Sequence, residues 1–346
     1  MRILVLTSSR LAPTYNEKII NQVKYINRFS SMYVELCNDL PLYEVERKII
    51  EEKFDCVFPY AVFDCAQSDI KQFSFNTALY QVLLYHKQEY IGSDIYVQML
   101  LNDKALTGFR SGMGLPGKII TRVLWNNRRT VAMELISTLE WPIIVKPNTL
   151  SASMGITKES IVYSKEQAAA VIEKQFQSFP PLTEVLLEAY LENAKEYTVS
   201  ITGNGDHVIA CPTALESLTG VYEIYSYDSK RNAINERPIR YNTVADPQLA
   251  EQLTECGKML AKKFHLRDYC RFDFLVDEQK NIFLIDANTI PALGMNYMHS
   301  YTSTGTLRIE QLLSLLVAAF SKRTNLALPQ AFLESLPQEL LELLGL

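Results

Sequence analysis

Two short alternating segments near the C-terminal end of the chain carry its densest chemistry. Cys270-Arg271-Phe272-Asp273-Phe274-Leu275-Val276 and Asn281-Ile282-Phe283-Leu284-Ile285-Asp286-Ala287-Asn288 flank Asp277-Glu278-Gln279-Lys280, a natural turn. Residues i and i+2 of a strand share a face. Arg271 and Asp273 therefore share one side of the first strand, and Asp286 and Asn288 one side of the second. An even-numbered loop puts all four together. A six-residue loop sets Asp273 opposite Asp286 and Arg271 opposite Asn288; a four-residue loop turns Arg271 toward Asp286, with Asp273 diagonal to it. A loop of three or five residues breaks the register and leaves two solvated acids. Opposed carboxylates repel unless a hard cation lies between them. Two carboxylates and an amide oxygen are the few protein ligands Mg2+ takes when phosphates fill its remaining positions.

A second set of candidates handles anions. Asn148 to Gly155 follows the strand-like Trp141-Pro142-Ile143-Ile144-Val145-Lys146-Pro147 and is built from small, hydroxyl-bearing residues that can cradle phosphate oxygens. It matches neither the Gly-x-x-x-x-Gly-Lys-Ser/Thr nor the Gly-x-Gly-x-x-Gly pattern, so P-loop and dinucleotide readings fall away. Lys104 and Lys146 add positive charge. Glu188 and Glu196 bracket Ala189-Tyr190-Leu191, where an apolar strand suits an adenine ring and a carboxylate suits a ribose hydroxyl.

These residues need elements to position them. Strand and helix signals alternate over the first ninety-odd positions: strands at 2–6, 32–37 and 56–60, helices at 17–29, 43–54 and 73–86. That order predicts a parallel sheet with crossover helices. After Asp103-Lys104 a helix runs to Met113, and another from Lys165 to Phe179 is cut off by Pro180-Pro181, a natural hinge. Strands follow at 185–191, 196–202 and 207–213, then a tyrosine-rich loop from 219 to 242, a helix from Pro247 to Phe264, and the hairpin. The expected divisions are an N-terminal α/β domain at 1–95, subdomains at 96–181 and 182–327, and a helical tail at 328–346 that caps the last helix or pairs with a second subunit.

Composition narrows the class. The chain has 346 residues, 48% of them apolar, which suits two or three domains of a soluble protein. Its net charge of −5 gives no electrostatic case for nucleic acid or an anionic membrane. No apolar run has the length of a membrane span, and Met1 to Leu6 is too brief for a signal core. Six cysteines without Cys-x-x-Cys spacing read as free thiols of a reducing cytoplasm.

Taken in order, Asp103-Lys104, Val145-Lys146-Pro147, Ser151-Ala152-Ser153-Met154-Gly155, Leu187-Glu188, Lys195-Glu196-Tyr197-Thr198, Tyr225-Ser226-Tyr227-Asp228-Ser229-Lys230, Arg271-Phe272-Asp273 and Asp286-Ala287-Asn288-Thr289-Ile290-Pro291 resemble the ATP-grasp enzymes, and within them the D-alanine–D-alanine ligase branch. The resemblance covers roughly 90–320. It implies an ATP-grasp fold (α/β, in part α+β) behind a Rossmann-like first domain. By the same resemblance Lys104 and Lys146 contact ATP phosphates, and Ser153 within the loop from Ser151 to Gly155 closes over them. Glu188 and the backbone near Leu191 read adenine, and Glu196 binds ribose. Lys230 reaches the γ-phosphate from a mobile lid, and Arg271 stabilises the tetrahedral intermediate. Asp273, Asp286 and Asn288 hold Mg2+, two ions in the family, with Mn2+ as a substitute. The family also implies a homodimer.

The departures fall in the amino-acid pockets. The family's His-Gly and Gly-Glu-Asp loop is missing from Pro59 to Asp69, and Glu17 is the nearest match to its early glutamate. Ala152 and Arg231 replace a serine and a tyrosine. Ala292-Leu293-Gly294 replaces Gly-Met-Thr, and the acceptor-carboxylate serine falls on Tyr297. The expectation is an ATP-dependent carboxylate–amine ligase for amino-acid-like substrates, with an anionic group near Arg231. D-alanine–D-alanine ligation proper, a hydroxyl or carrier-protein thiol as acceptor, and a non-catalytic nucleotide-binding module are the alternatives.

Overall fold

From Ile3 to Leu6 the first strand is apolar at every position and fully covered, as a parallel strand packed on both faces must be. This strand, β1 (Arg2–Thr7), is the middle of a parallel sheet ordered β2 (Tyr33–Asn38), β1, β3 (Cys56–Pro59). Helices α1 (Pro13–Ile26) and α2 (Leu42–Glu52) supply the crossovers, and α3 (Thr77–Tyr85) leads to Tyr90, which bridges Val57 of β3 in parallel. The structure, a computed structural model, describes residues 1–8, 13–60, 77–111, 122–126, 139–150, 153–179, 182–217 and 239–346. Among them no helix is long and apolar enough to cross a membrane. The proposed hinge at Pro180-Pro181 lies outside the described residues, as do most of the tyrosine-rich loop and Cys65.

Two antiparallel sheets follow. The first is ordered β4 (Arg122–Asn126), β7 (Glu184–Ala189), β5 (Ile143–Pro147), β6 (Ile161–Val162). Its Ile143, Val145, Val185 and Leu187 pack under Ala168 and Ile172 of α6 (Lys165–Ser178). Alternation turns Lys146 and Glu188 to the other face. Helices α4 (Ile95–Asn102) and α5 (Lys104–Ser111) precede this sheet.

The larger sheet is ordered β10 (Ile239–Thr243), β9 (His207–Ser217), β8 (Lys195–Asn204), β11 (Tyr269–Val276), β12 (Ile282–Asn288). One face carries Val199, Ile201, Phe272, Phe274 and Leu284 against α7 (Pro247–Lys263). Asp246 caps that helix by accepting from the Gln248 and Leu249 amides. A Cβ on Gly257 would stand 2.7 Å from Val199 Cγ1, so glycine lets helix and sheet come this close. With one face closed by α7, the polar residues of β8 and β11 project from the other.

The hairpin corrects one expectation. Val276 pairs with Ile282, leaving a five-residue loop, the length expected to break the register. The ladder shifts between Asp273 and Phe274, and Ile285 is the extra residue. This bulge restores the pairing, so Asp273 faces Asp286 and Arg271 faces Asn288.

After β12 the chain forms α8 (His299–Ser303) and α9 (Leu312–Thr324), which is buried from Leu312 to Ser321. It joins Ile3, Val5 and Phe58 of the parallel sheet to Ile209 and Tyr269 of the large sheet in one apolar cluster. The tail helices α10 (Gln330–Leu333) and α11 (Gln338–Leu343) follow Pro329 and Pro337 and add Phe332, Leu340 and Leu341 to the same cluster. The tail therefore packs within its own chain.

Candidate active site

Register alone builds a polar floor on the large sheet. Residues directly opposite in an antiparallel ladder share a face. One row runs Thr213, Thr198, Asp273, Asp286 across β9, β8, β11 and β12, and the next runs Cys211, Ser200, Arg271, Asn288. Glu196 lies on the same face, one step before Thr198 along β8. At the other end Thr202 is closed off, its hydroxyl 2.8 Å from Tyr297 Oη.

Within this floor Arg271 grips Asp273 through Nε–Oδ1 and Nη2–Oδ2 hydrogen bonds, both 2.7 Å. Burial opposes the guanidinium charge, but Asp273 outweighs it and holds the pKa above its ordinary value. Asp286 Oδ1 accepts from the Ala287 amide at 3.1 Å, and Asn288 Oδ1 from the Ile290 amide at 3.0 Å, which fixes both side chains. The two acids and the asparagine form a hard-oxygen set on one face. That donor set fits Mg2+.

The smaller sheet supplies the cations. Lys146 and Glu188 share a face and meet at 2.5 Å, with side chains only 8% and 2% exposed. Lys104, at the start of α5, donates to the Leu150 carbonyl at 2.6 Å. Burial pulls the Lys104 pKa below its ordinary value, while Asp286 and Glu188 push it up and Lys146 pulls it down further. The field of Asp286 on one sheet and of Lys146 and Glu188 on the other thus meets at Lys104. Asn148 fastens this corner, accepting from the Ala105 amide at 3.0 Å and donating to Glu184 Oε2 at 3.2 Å.

The loop after β5 turns sharply at Ser153, with φ 59°, and Gly155, with φ 74°. A Cβ on Gly155 would lie 2.7 Å from Pro147 Cγ and 3.0 Å from Phe179 Cε2, so only glycine fits. Gln175 Nε2 holds the Gly155 carbonyl at 2.7 Å. Leu191 is half-buried just beyond β7, and Glu196 is half-buried in β8.

The structure brings Lys104, Lys146, Glu188, Arg271, Asp273, Asp286 and Asn288 together. Ser151, Lys230 and Arg231 lie outside the described residues. Tyr297 is a correction: 1% exposed, it sits in the apolar cluster and spends its hydroxyl on Thr202 and the Ile201 carbonyl, so it cannot meet a substrate carboxylate. Glu17 is exposed on α1, and its neighbour Lys18 is the side chain beside Gly294, with Nζ 3.2 Å from where a Gly294 Cβ would stand. Asn148 starts the expected phosphate loop and Thr198 falls within the motif Lys195–Thr198, while Ser200 and Thr213 lie outside the expected set. Alternation in Glu196-Tyr197-Thr198-Val199-Ser200 does put the β8 hydroxyls on the face of Glu196.

The family described as D-ala D-ala ligase C-terminus matches residues 115–318. The chain belongs to the D-alanine–D-alanine ligase family. It is 27% identical over 209 residues to a D-alanine–D-alanine ligase of Carboxydothermus hydrogenoformans, covering 59% of this chain and 64% of that one. It is 32% identical over 168 residues to the ligase of Borrelia garinii subsp. bavariensis, covering 48% and 44%. The matches thus span less than two thirds of these ligases' own lengths. Among solved structures it resembles the D-alanine–D-alanine ligase of Bacillus anthracis complexed with ATP, with TM-score 0.68 and 16% identity over 94% of this chain and 99% of that one. The VanG D-Ala:D-Ser ligase of Enterococcus faecalis gives the same TM-score and identity over 92% and 99%. At these identities the likeness is one of fold, the ATP-grasp fold of these ligases.

Proposed function

We propose that the chain is an ATP-dependent carboxylate–amine ligase that joins amino acids or amino-acid-like substrates through an acyl phosphate. The observation that carries this reading is the meeting of two polar faces: Lys104, Lys146 and the glycine-turned loop on one side, Arg271 with the oxygen set on the other. ATP would lie between them, its adenine near Glu188 and Leu191, its ribose at Glu196. Lys104, Lys146, Ser151, Ser153 and Gly155 would hold the phosphates, with Lys230 at the γ-phosphate.

A carboxylate is a poor electrophile because its leaving group would be oxide. Transfer of the γ-phosphoryl group to a carboxylate oxygen releases ADP and creates a good leaving group. The second substrate's amine then attacks the carbonyl carbon, loses a proton, and phosphate departs as the amide forms. Asp273, Asp286 and Asn288 would hold Mg2+, or Mn2+ in its place, two ions by family likeness, which would supply charge neutralisation at the phosphoryl oxygens. Arg271 would face the oxyanion of the tetrahedral intermediate. Water must be excluded, since it hydrolyses acyl phosphates.

The divergent positions, Glu17, Arg231, Gly294 and Tyr297, support substrates other than two D-alanines. The buried Tyr297 hydroxyl removes one family contact to the acceptor. We read the enzyme as a cytoplasmic homodimer divided at 1–95, 96–181 and 182–327. The test is release of ADP and phosphate with Mg2+ across a panel of paired amino acids, D-alanine included. Stimulation by one pair, with the amide product seen by mass spectrometry, supports the ligase. Nucleotide binding without turnover on any pair makes the chain a binding module.

A further inference from the structure

Lys18 is a cation that the ligase reading leaves without a task. It lies early in α1 and is half-buried. Because β1 ends at Thr7 and α1 begins at Pro13, this part of the helix stands at the C-terminal edge of the parallel sheet, where open α/β sheets take their ligands. The segment that follows the metal-ligand candidates comes to the same edge. Asn288 Oδ1 accepts from the Ile290 amide at 3.0 Å and turns the chain as it leaves β12. Leu293 is then fastened at both of its backbone polar groups: its amide donates to Tyr60 Oη, just past β3, at 3.1 Å, and its carbonyl accepts from Gln22 Nε2 of α1 at 3.3 Å. Gln22 is one helical turn beyond Lys18 on the same side of α1, so the clamp on Leu293 also sets Lys18 beside Gly294.

Gly294 makes room for that cation. A Cβ there would stand 3.2 Å from Lys18 Nζ and 3.4 Å from Asn296 Oδ1. The φ of Gly294 is not in the left-handed region, so space rather than backbone freedom explains the glycine. An ammonium and a side-chain amide thus converge over one bare Cα. Lys18 and Asn296 are each partly open to solvent, beside the exposed Met295. Lys18 already has an interaction elsewhere, and an ammonium with three N–H donors can serve a further acceptor. A cation with an adjoining amide suits a carboxylate, which charge and hydrogen bonds hold together.

We propose that Lys18, with Asn296 beside it, binds the free carboxylate of the acceptor amino acid and so selects acceptors that carry one. This rests on the ligase reading above. The family match begins at residue 115 and does not reach Lys18. The second step of the reaction calls for such a group. The donor's carboxylate is consumed as the acyl phosphate, but an acceptor amino acid keeps its own and brings a further negative charge toward the phosphorylated donor. A cation at the acceptor's carboxylate offsets that repulsion and leaves the amine as the end that faces the carbonyl carbon. The Tyr297 hydroxyl, spent on Thr202 and the Ile201 carbonyl, leaves this task to another residue.

The test compares, in the full chain, each amino acid of the panel as acceptor with its own carboxamide, which keeps the amine and lacks the charge. Phosphate release gives KM and kcat. In the wild type the KM for the acid lies about ten- to a hundredfold below that for the carboxamide, as for a hydrogen bond to a charged group. Lys18→Met raises the KM for the acid by that factor, leaves the carboxamide and ATP values level, and abolishes the preference. Gly294→Ala puts a methyl group 3.2 Å from Lys18 Nζ, the far end of a flexible side chain, and shifts the KM for the acid in the same direction with the charge retained. Equal KM values for acid and carboxamide in the wild type overturn the proposal. So does a Lys18→Met chain that keeps the preference, or one in which both acceptor KM values or the KM for ATP change together, which would make Lys18 structural. If Lys18→Met lowers the melting temperature too far for assay, Gly294→Ala decides, and an unaltered acid preference there overturns the proposal. If no pair stimulates the wild type, the ligase reading itself fails, a result distinct from a competent wild type that ignores the acceptor's charge.

Discussion

Arg271 and Asp273, two residues apart on β11, are joined by two 2.7 Å hydrogen bonds that occupy both oxygens of the acid. Directly across, Asp286 faces Asp273. In the free protein the arginine supplies the positive charge that two opposed carboxylates require. A cation that reaches Asp273 would draw on an oxygen that Arg271 now holds, so the two positive charges compete for the same acid.

Arg271→Ala should therefore bind Mn2+ more tightly than the wild type, about three- to tenfold with ADP present, because a competing charged hydrogen bond is gone. Turnover should fall about a hundredfold or more with the loss of the oxyanion donor. Paramagnetic titration of Mn2+ reads the first effect independently of the second. Unchanged or weaker Mn2+ binding would mean that metal and arginine do not compete.

Lys104 leads to a pH prediction. Burial lowers its pKa, so it loses its charge below the ordinary 10.5. Between the lowered value and 10.5 the unfolded chain binds the proton that the folded chain has lost, so this group makes stability rise with pH through that window. A bound polyphosphate reverses the preference and restores the charge. Nucleotide affinity should then decline on the alkaline side earlier than an ordinary lysine would allow, with proton uptake on binding. Lys104→Arg, which stays charged, should move that decline to higher pH. Calorimetry in two buffers of different ionisation enthalpy detects the uptake; its absence would show that Lys104 is already fully charged.

The pair of Lys146 and Glu188 is almost fully enclosed. Removing one charge strands the other, at a cost of about 3–5 kcal/mol for such pairs. Glu188→Gln should lower stability by an amount in the lower part of that range, measured by urea unfolding. Replacing both, Lys146→Met with Glu188→Leu, should recover most of the stability while nucleotide binding stays lost. If the double variant is no more stable than Glu188→Gln, the pair does more than neutralise itself.

Gly155→Ala places a methyl group 2.7 Å from Pro147 Cγ at a positive φ. The strain should cost about 1–3 kcal/mol or push the loop away from the cleft. The KM for ATP should rise with little change in kcat, whereas a wild-type KM would separate the loop from the nucleotide.

The hairpin chemistry was legible because alternation fixes faces: Arg271 with Asp273, Asp286 with Asn288. Its register was less so. A five-residue loop argues against the pairing, and only the bulge at Ile285 rescues it; an isoleucine in an apolar run gives no sign that it will be left unpaired. Tyr297 shows the reverse error. Its place in the motif order suggested a substrate contact, but order along the chain cannot see that Thr202, ninety-five positions earlier, offers its hydroxyl a partner. Glu17 matches the family's early glutamate by charge type alone, while helical phase brings Lys18 to Gly294. The sequence order of Lys104, Lys146 and Glu188 carried their convergence well, since strand ends and a helix start leave them few places to go.

Helix α9 stitches the parallel sheet to the large sheet. Beside it Asp268, wholly enclosed, accepts from the Gly92 amide at 2.8 Å and from Arg323 Nη2 and Nε at 3.0 and 3.1 Å. The first and last portions of the chain are thereby welded into a single anvil, and they cannot swing apart without tearing an oil-filled joint. Among the described residues the four-stranded layer contributes nothing to that joint. Arg271, Asp273, Asp286 and Asn288 belong to the welded block, whereas Lys146, Glu188 and Gly155 belong to the layer outside it.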